Sequence, residues 1–521
     1  MNTLYAAVLT LACALAAPAI GQTRLTVAVN SDIQRTDWPT KHDDVTQTVL
    51  HHVMEGLMTH REDMTVAPLL AEGWTVSPDG RRYTFKLRSG IRSHNGKPMT
   101  AAIVKANWHR SRDSNVSWGG KCRGVYDGSE EQYHRPVNIL AVEAPDHNTV
   151  VFTLHYRNGR FLHHMANHHC LPGIIHPDSF DSAGKWMAPI GTGPFTLGRW
   201  DKGRSIELRR FADYRPRDEA ASGFTGRKTP LVDVLTFVVH SNPVAAATAL
   251  DAGDVDIWHN VPQGQVALMQ GSRKDDLHFQ QTSAFHQLVL QSRHDPLLRD
   301  VRLRQALTMA IDRDQITREV TGVLRRSNPS VVATSLPAYG ARLQASLAFD
   351  PKRAIALAGE AGYQGQPIQI QASRAPYPSF FAAAESATRM LRNAGFDASV
   401  QEVSWPEQDK NYSQNKYQIS SITFSTRTDP ALMYPAIIGQ KTDYSWYLWE
   451  DVEAEMLANR AAIESDPALR AEMLDQLHAR MIEWTPTIGL FNHFIYSATA
   501  KPVNGFKTWP LGLPRFWGVS R

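Results

Sequence analysis

Ten residues, FLHHMANHHC from Phe161 to Cys170, carry four histidines and a cysteine. Both residue types are soft metal ligands, and His164 and His168 stand four apart, one helical turn. The run therefore offers a metal centre, a catalytic cluster, or polar contacts to a bound molecule. Other stretches narrow the choice. IGTGPF, Ile190 to Phe195, has the glycines of a phosphate cradle. No Gly-Lys-Ser/Thr follows it, and Pro194 removes an amide the cradle would use, so a tight turn is expected. HHVMEG, His51 to Gly56, sets its histidines and glutamate in the wrong order for a zinc-protease helix. The sequence holds no HExxH, no GxSxG and no CxxC pair. Nothing in these patterns calls for an enzyme or a cofactor.

The elements that would position such residues alternate between strand and helix. In TRLTVAVN, Leu25, Val27 and Val29 alternate as in a strand, and Val45, Val49, Val53 and Leu57 recur at helical spacing. WTVSPDGRRYTFKL reads as a hairpin around Ser77-Pro78-Asp79-Gly80. A turn at Asn95-Gly96 leads to a helix capped by Thr100; TVVFTLH is a strand and FLHHMAN a short helix. PFTLGRW and SIELRRF are strands, and VDVLTFVVHSNPVAAATALDAGDVDIW reads strand–helix–strand, a βαβ unit. Leu288 to Leu290 is expected as a short strand, and DVRLRQALTMAIDRDQI as one amphipathic helix with Val301, Ala306, Met309 and Ala310 on its apolar side. PIQIQASR, FFAAAESATRMLRNAG and FDASVQEVSW make a second βαβ unit, and a helix from Pro467 to Ile482 precedes the strand TIGLFNHFIYSA. The class is α/β, with two βαβ regions and an early hairpin-rich insert.

A chain of 521 residues is too long for one compact core, so two or three domains are expected. A net charge of +4 with no Lys/Arg block argues against a nucleic-acid partner. Thirteen tryptophans and fifteen tyrosines would suit both a core and the sandwiching of a small ligand. Residues 1–21 read as a secretory signal: Leu4 to Ala19 is apolar and alanine-rich, with small residues at Ala17-Pro18-Ala19 and Ala19-Ile20-Gly21, although MNTLY lacks Lys and Arg. Thr10 stands where a lipoprotein signal has a large aliphatic, so a lipid anchor at Cys13 is not expected. The mature chain should be soluble and periplasmic. Export leaves Cys122 and Cys170, and an oxidising compartment suggests a disulfide between them, with two unpaired cysteines as the alternative.

Several longer blocks occur in a fixed order. PLLAEGWTVSPDGRRYTFKLRSGIRSHNGKPMTA begins at Pro68, and PIGTGPFTL with RSIELRRFADY follows. AAATALDAGDVDI, LRDVRLRQALTMAIDRDQI and FSTRTDPALMY complete the series. Together they resemble the periplasmic solute-binding proteins of ABC importers for peptides and nickel, the large three-domain class. The resemblance covers roughly residues 24 to 500. It implies a two-lobed fold with a hinge and an extra domain inserted in the first lobe. The expected division is signal 1–21, first lobe 22–65, inserted domain 66–189, first lobe again 190–283, second lobe 284–490, and a return to the first lobe over 491–521. It also implies binding without chemistry: ligand between the lobes shifts the hinge towards the closed form, which an ABC permease and its ATPase recognise.

The resemblance places the site residues. Asp429 matches the position where peptide binders pair a carboxylate with the peptide amino terminus, and Arg427 could take a ligand carboxylate or orient Asp429. Asp429-Pro430 is equally a good turn. Trp118 lies where nickel-chelate binders carry a pocket tryptophan, or is a core residue of the insert. Tyr444, Trp446 and Trp449 could wall the cleft, and Gly439 to Trp449 lacks the histidine that nickel-histidine binders place there. His168 or His169 falls at the cleft mouth, as a ligand contact or, on the rival reading, a metal ligand. His163 and His164 are expected to be surface or packing residues. The leading expectation is a monomeric binder of a short peptide or peptide-like solute. A nickel or other metal chelate on the same fold is the alternative, and an exported hydrolase the more distant one.

Overall fold

The computed structural model describes residues 22–37, 43–111, 138–168, 170, 173–270, 275–324, 326–375, 377–425, 428–430, 433–434, 437–440, 447–464 and 466–521. Its strands are β1 (Arg24–Val29), β2 (Met58–His60), β3 (Val66–Pro68), β4 (Ala71–Val76), β5 (Arg82–Leu87), β6 (Ile139–Asp146), β7 (Thr149–Leu154), β8 (Phe195–Asp201), β9 (Ser205–Arg210), β10 (Val234–Val239), β11 (Ile257–His259), β12 (Asp275–Leu290), β13 (Ile368–Ala372), β14 (Ala398–Glu402), β15 (Ile419–Phe424) and β16 (Thr487–Ala500). Its helices are α1 (Asp44–Val53), α2 (Ala101–Ser111), α3 (Phe161–Met165), α4 (Pro243–Ala252), α5 (Gln263–Met269), α6 (Val301–Met309), α7 (Arg313–Thr321), α8 (Pro351–Glu360), α9 (Pro378–Asn393), α10 (Trp405–Ser413), α11 (Val452–Ile463) and α12 (Pro467–Trp484). Among the described residues no helix is long and apolar enough to cross a membrane.

Ten strands form one continuous sheet in the order β14-β13-β15-β12-β16-β11-β1-β10-β9-β8. Both βαβ readings hold. β1 lies between β10 and β11, parallel to both, and β13 pairs parallel with β14. A separate four-stranded sheet, β4-β5-β7-β6, contains the early hairpin, whose Gly80 takes the positive φ (69°) the turn demands. The buried apolar residues fall into two cores. One gathers Val27, Val49, Phe85, Trp108 and Phe237; the other gathers Leu288, Leu307, Ile370, Leu391 and Leu477.

Two long antiparallel strands join the halves of the large sheet. The Leu288–Leu290 strand of the sequence reading is only the end of β12, which runs sixteen residues and pairs with β16 along its length. Its first half, DDLHFQQ, is only partly buried and carries no clean alternation, which is why the pattern missed it. The pairing register slips between Gln281 and Phe285, and at this irregularity the Ser283 amide turns to the Pro510 carbonyl at 3.1 Å. A slipped register bends and twists a strand, so β12 is bent where it passes between the ends of the sheet.

The helix expected over DVRLRQALTMAIDRDQI is two helices. Asp312 breaks it by accepting a hydrogen bond from the Gln315 amide at 2.9 Å, which makes it the N-cap of α7. The expected tight turn at IGTGPF is explained by close packing. A Cβ on Gly191 would lie 2.2 Å from the Val53 carbonyl oxygen, and one on Gly193 would lie 2.4 Å from that of His52. These glycines let the loop seat against the end of α1, where the Gly193 amide donates to the Val53 carbonyl at 3.0 Å.

Candidate functional site

α3 is a short helix held between Asn158 and Asn167. Asn158 Oδ1 accepts from the Arg160 amide at 2.9 Å, and Asn167 Oδ1 accepts from the Cys170 amide at 3.2 Å. The helix projects His163 towards the other half of the molecule. Its Nε2 lies 3.4 Å from Oδ2 of Asp429, which follows β15. His163, expected as a surface or packing residue, is partly buried and packs against this carboxylate. The contact joins positions far apart in sequence, and no local pattern announces it.

Asp429 is fully buried. Arg470, in the first turn of α12, donates to its two carboxylate oxygens at 2.6 and 2.5 Å. The same guanidinium donates from Nε to the Ala461 carbonyl at 3.0 Å, near the end of α11. Arg470 therefore ties α11, α12 and the segment after β15 together, and it supplies the positive charge that a buried carboxylate requires. Sequence reasoning missed it.

His60, at the end of β2, backs His163 with ring centroids 5.9 Å apart. Burial lowers the His60 pKa to about 3, and the neighbouring His163 adds to that shift against the pull of Asp429. Burial also lowers His163, opposed by Asp429 and assisted by Arg470. Burial thus disfavours the charged form of both rings.

His168 is buried, and its carbonyl lies 3.4 Å from Nε2 of His51, which stacks on Phe224 at 4.2 Å. Cys170 is buried in the core that contains Val49 and Phe85. Trp449 is buried at 2% exposure. Trp118, Cys122, His169, Arg427, Tyr444 and Trp446 lie outside the described residues.

Behind His51 is a second polar group that the sequence did not signal. Lys228 Nζ and Glu55 Oε1 pair at 2.5 Å, each side chain 1% exposed. Tyr214 donates to Glu55 Oε1 at 3.0 Å and Thr192, from the IGTGPF loop, to Oε2 at 3.1 Å. Burial lowers the Lys228 pKa against the pull of Glu55, and burial with Glu55 raises Tyr214 well above its usual value. A small cavity lined by Lys228, His51, Asn167, Thr59 and Phe224 adjoins the pair.

The histidines of HHVMEG are structural in kind. His52 is buried, with Nδ1 2.7 Å from the Thr48 carbonyl, while its Nε2 accepts from the Phe516 amide at 3.1 Å. Among the described residues no group of three or more His, Cys, Asp or Glu side chains is placed to hold a metal ion. What the geometry offers is a contact between α3 with β2 and the segment after β15, with a neutralised carboxylate on one side and imidazoles on the other.

Three comparisons fit this arrangement. The family described as bacterial extracellular solute-binding proteins, family 5 Middle, matches residues 65–446. The chain is 28% identical over 362 residues to a glutathione-binding protein of Salmonella typhi, an alignment spanning 69% of this chain and 65% of that protein. It is 26% identical over 476 residues to the dipeptide-binding protein of Escherichia coli, spanning 87% and 86% of the two chains. In fold it is similar to CtaP of Listeria monocytogenes, an ABC transporter substrate-binding protein, with a TM-score of 0.82 at 20% identity, covering 96% of this chain and 99% of that one.

Proposed function

The chain belongs to the bacterial extracellular solute-binding proteins of family 5, and from that membership we propose that it is the substrate-binding component of an ABC importer. It captures a short peptide or peptide-like zwitterion between its lobes and hands it to a membrane permease and ATPase. The observation that carries this reading is the contact between His163 and Asp429. β12 and β16 link the two ends of the large sheet, and the helix after the small sheet brings His163 to Asp429, which follows β15. Such a construction closes around a solute and needs no bond-making step. The glutathione- and dipeptide-binding relatives support a peptide-sized ligand.

The reading assigns residues 1–21 to an export signal and the mature chain to the periplasm as a monomer. It puts the hinge crossings near residues 284 and 490 and the inserted domain at 66–189. Asp429, with Arg427, is assigned to the ligand's charged ends, and Trp118, His168, His169, Tyr444 and Trp446 to the cleft walls. Cys122 and Cys170 are assigned to a disulfide.

Calorimetric titration of the full mature chain with di- and tripeptides and with glutathione tests this. Saturable binding with the peptide recovered intact is expected. Binding of a nickel chelate in place of peptides would move the assignment to the alternative ligand, and cleavage of the peptide would overturn it.

A further inference from the structure

Phe161 and Met165 pack α3 into one of the two cores, while Ala454 and Ala458 pack α11 into the other. A contact between the α3 segment and the end of α11 is therefore a contact between separately built bodies. The segment makes it at two points four residues apart. His163 meets Asp429. Before it, Gly159 faces bare backbone: a Cβ there would lie 3.0 Å from both the carbonyl carbon and the carbonyl oxygen of Ile463, and 3.1 Å from the Ala462 oxygen.

Both receiving points belong to one fixed unit. Arg470 donates from Nε to the Ala461 carbonyl at 3.0 Å and from Nη2 to Asp429 at 2.6 and 2.5 Å, so one guanidinium sets the end of α11 relative to the carboxylate. The facing turn is held as well. Asn158 Oδ1 accepts from the Arg160 amide at 2.9 Å, and the Asn158 carbonyl accepts from the Phe161 amide at 3.2 Å and the Tyr83 hydroxyl at 3.1 Å. Gly159 is not among the glycines with positive φ, so its backbone shape does not call for glycine. The space in front of it does.

We propose that Gly159 is a positioning residue for ligand capture: by presenting no side chain to the Ala462–Ile463 backbone, it sets how far the two lobes close. This rests on the binding-protein reading, in which closed lobes hold the solute, and it names the residue that limits their approach. Carbon added at 159 acts as a wedge. Alanine pushes the α11 backbone back slightly, and branched valine pushes it farther. An open form, with this contact already parted, does not feel the wedge, so the added group penalises closure alone. A binding-competent fraction lowered about tenfold lowers apparent affinity about tenfold.

Small-angle X-ray scattering of the ligand-free mature chain tests this on wild type, Gly159→Ala, Gly159→Val and Gly340→Ala, a control whose Cβ would meet open space. Urea unfolding in parallel shows that each variant is folded, and Gly159→Ala carries the test should valine disturb folding. The radius of gyration should rise from wild type through alanine to valine and stay at the wild-type value in the control. Calorimetric titration with dipeptides and glutathione should show binding to Gly159→Val weakened about tenfold or more. A radius unchanged in Gly159→Val overturns the proposal whatever the chain binds, and a lower urea midpoint with that unchanged radius assigns Gly159 to packing alone. A wild type that takes no peptide while the radii follow the expected order leaves this contact standing and fails only the ligand assignment.

Discussion

Arg470 holds both carboxylate oxygens of Asp429, at 2.6 and 2.5 Å, in a site where the aspartate is fully buried. A buried carboxylate left without its cation is far costlier than the intact pair is stabilising. Arg470→Ala should therefore lower unfolding free energy by about 3–5 kcal/mol, and Asp429→Ala by a similar amount. The double variant should lose less than the sum of the two, because neither charge is then stranded. Urea titration of the four proteins checks this; additive losses would show that the two groups do not depend on one another.

Asp429 has a second consequence, for binding. Asp429→Asn keeps the size of the side chain and removes its charge. If the carboxylate also receives a ligand ammonium, peptide affinity should fall by about 2–5 kcal/mol. Calorimetry on the folded variant measures it, and unchanged affinity would leave Asp429 a structural group that binds Arg470 and His163.

Glu55 and Lys228 form the corresponding pair in the other half of the molecule, and here both partners are 1% exposed. Lys228→Met leaves Glu55, among the described residues, with Tyr214 and Thr192 as donors and no cation. The expected loss is about 3–5 kcal/mol, and Glu55→Gln added to Lys228→Met should recover much of it. Thermal unfolding of the single and double variants decides the matter.

The parts that could be read from sequence are those written in short-range periodicity. Alternation at Leu25, Val27 and Val29, the Ser77–Gly80 turn and the spacing of α9 each fix one element without reference to the rest. The first half of β12 failed because it is half-exposed on both faces, and α6–α7 failed because one capping aspartate outweighed a continuous apolar stripe. Within the candidate site, Asp429 was singled out by the family resemblance of its segment, and the structure buries it against Arg470. Arg470, His60 and Lys228 stand in no motif; they matter through partners distant in sequence, which only the folded chain brings near.

Several histidines are buried as neutral rings, and this makes the fold sensitive to acid. Burial takes the His52 and His286 pKa values down to about 3. His286 is held by Thr423 at 2.8 Å and Ser421 at 3.2 Å, and stacks on Phe491. Both rings regain a pKa near ~6.5 on unfolding. Their native values lie below the unfolded one, so stability is full above pH ~6.5 and drains as pH falls towards the native value. At pH ~5.5 each should cost about 1.4 kcal/mol. Urea midpoints at pH 7.5 and 5.5 should show the loss, and His286→Gln should reduce the pH dependence even if its stability at pH 7.5 is lower.

Gly191 offers a sharp steric test of the loop that resembled a phosphate cradle. A Cβ there would meet the Val53 carbonyl at 2.2 Å, and backbone cannot swing aside as a side chain does. Gly191→Ala should destabilise by at least ~1–3 kcal/mol. Gly203→Ala has open space but a positive φ of 74° and should cost about 1 kcal/mol. Equal effects at the two sites in chemical denaturation would remove close packing as the reason for glycine at 191.

The Cys122–Cys170 bridge of the proposed reading can be tested through both its chemistry and its energetics. Cys170 is buried in the core at the end of the histidine-rich run, beside Asn167, whose side chain accepts from its amide. If it pairs with Cys122, the bond closes a loop of nearly fifty residues across α3 and the small sheet. Chain entropy values that closure at about 4 kcal/mol. The mature protein from an oxidising compartment should then show no free thiol under denaturing conditions and two after reduction. Reduction, or Cys122→Ser, should lower the unfolding free energy by about 4 kcal/mol. Two free thiols before reduction would instead leave Cys170 as an ordinary buried core residue.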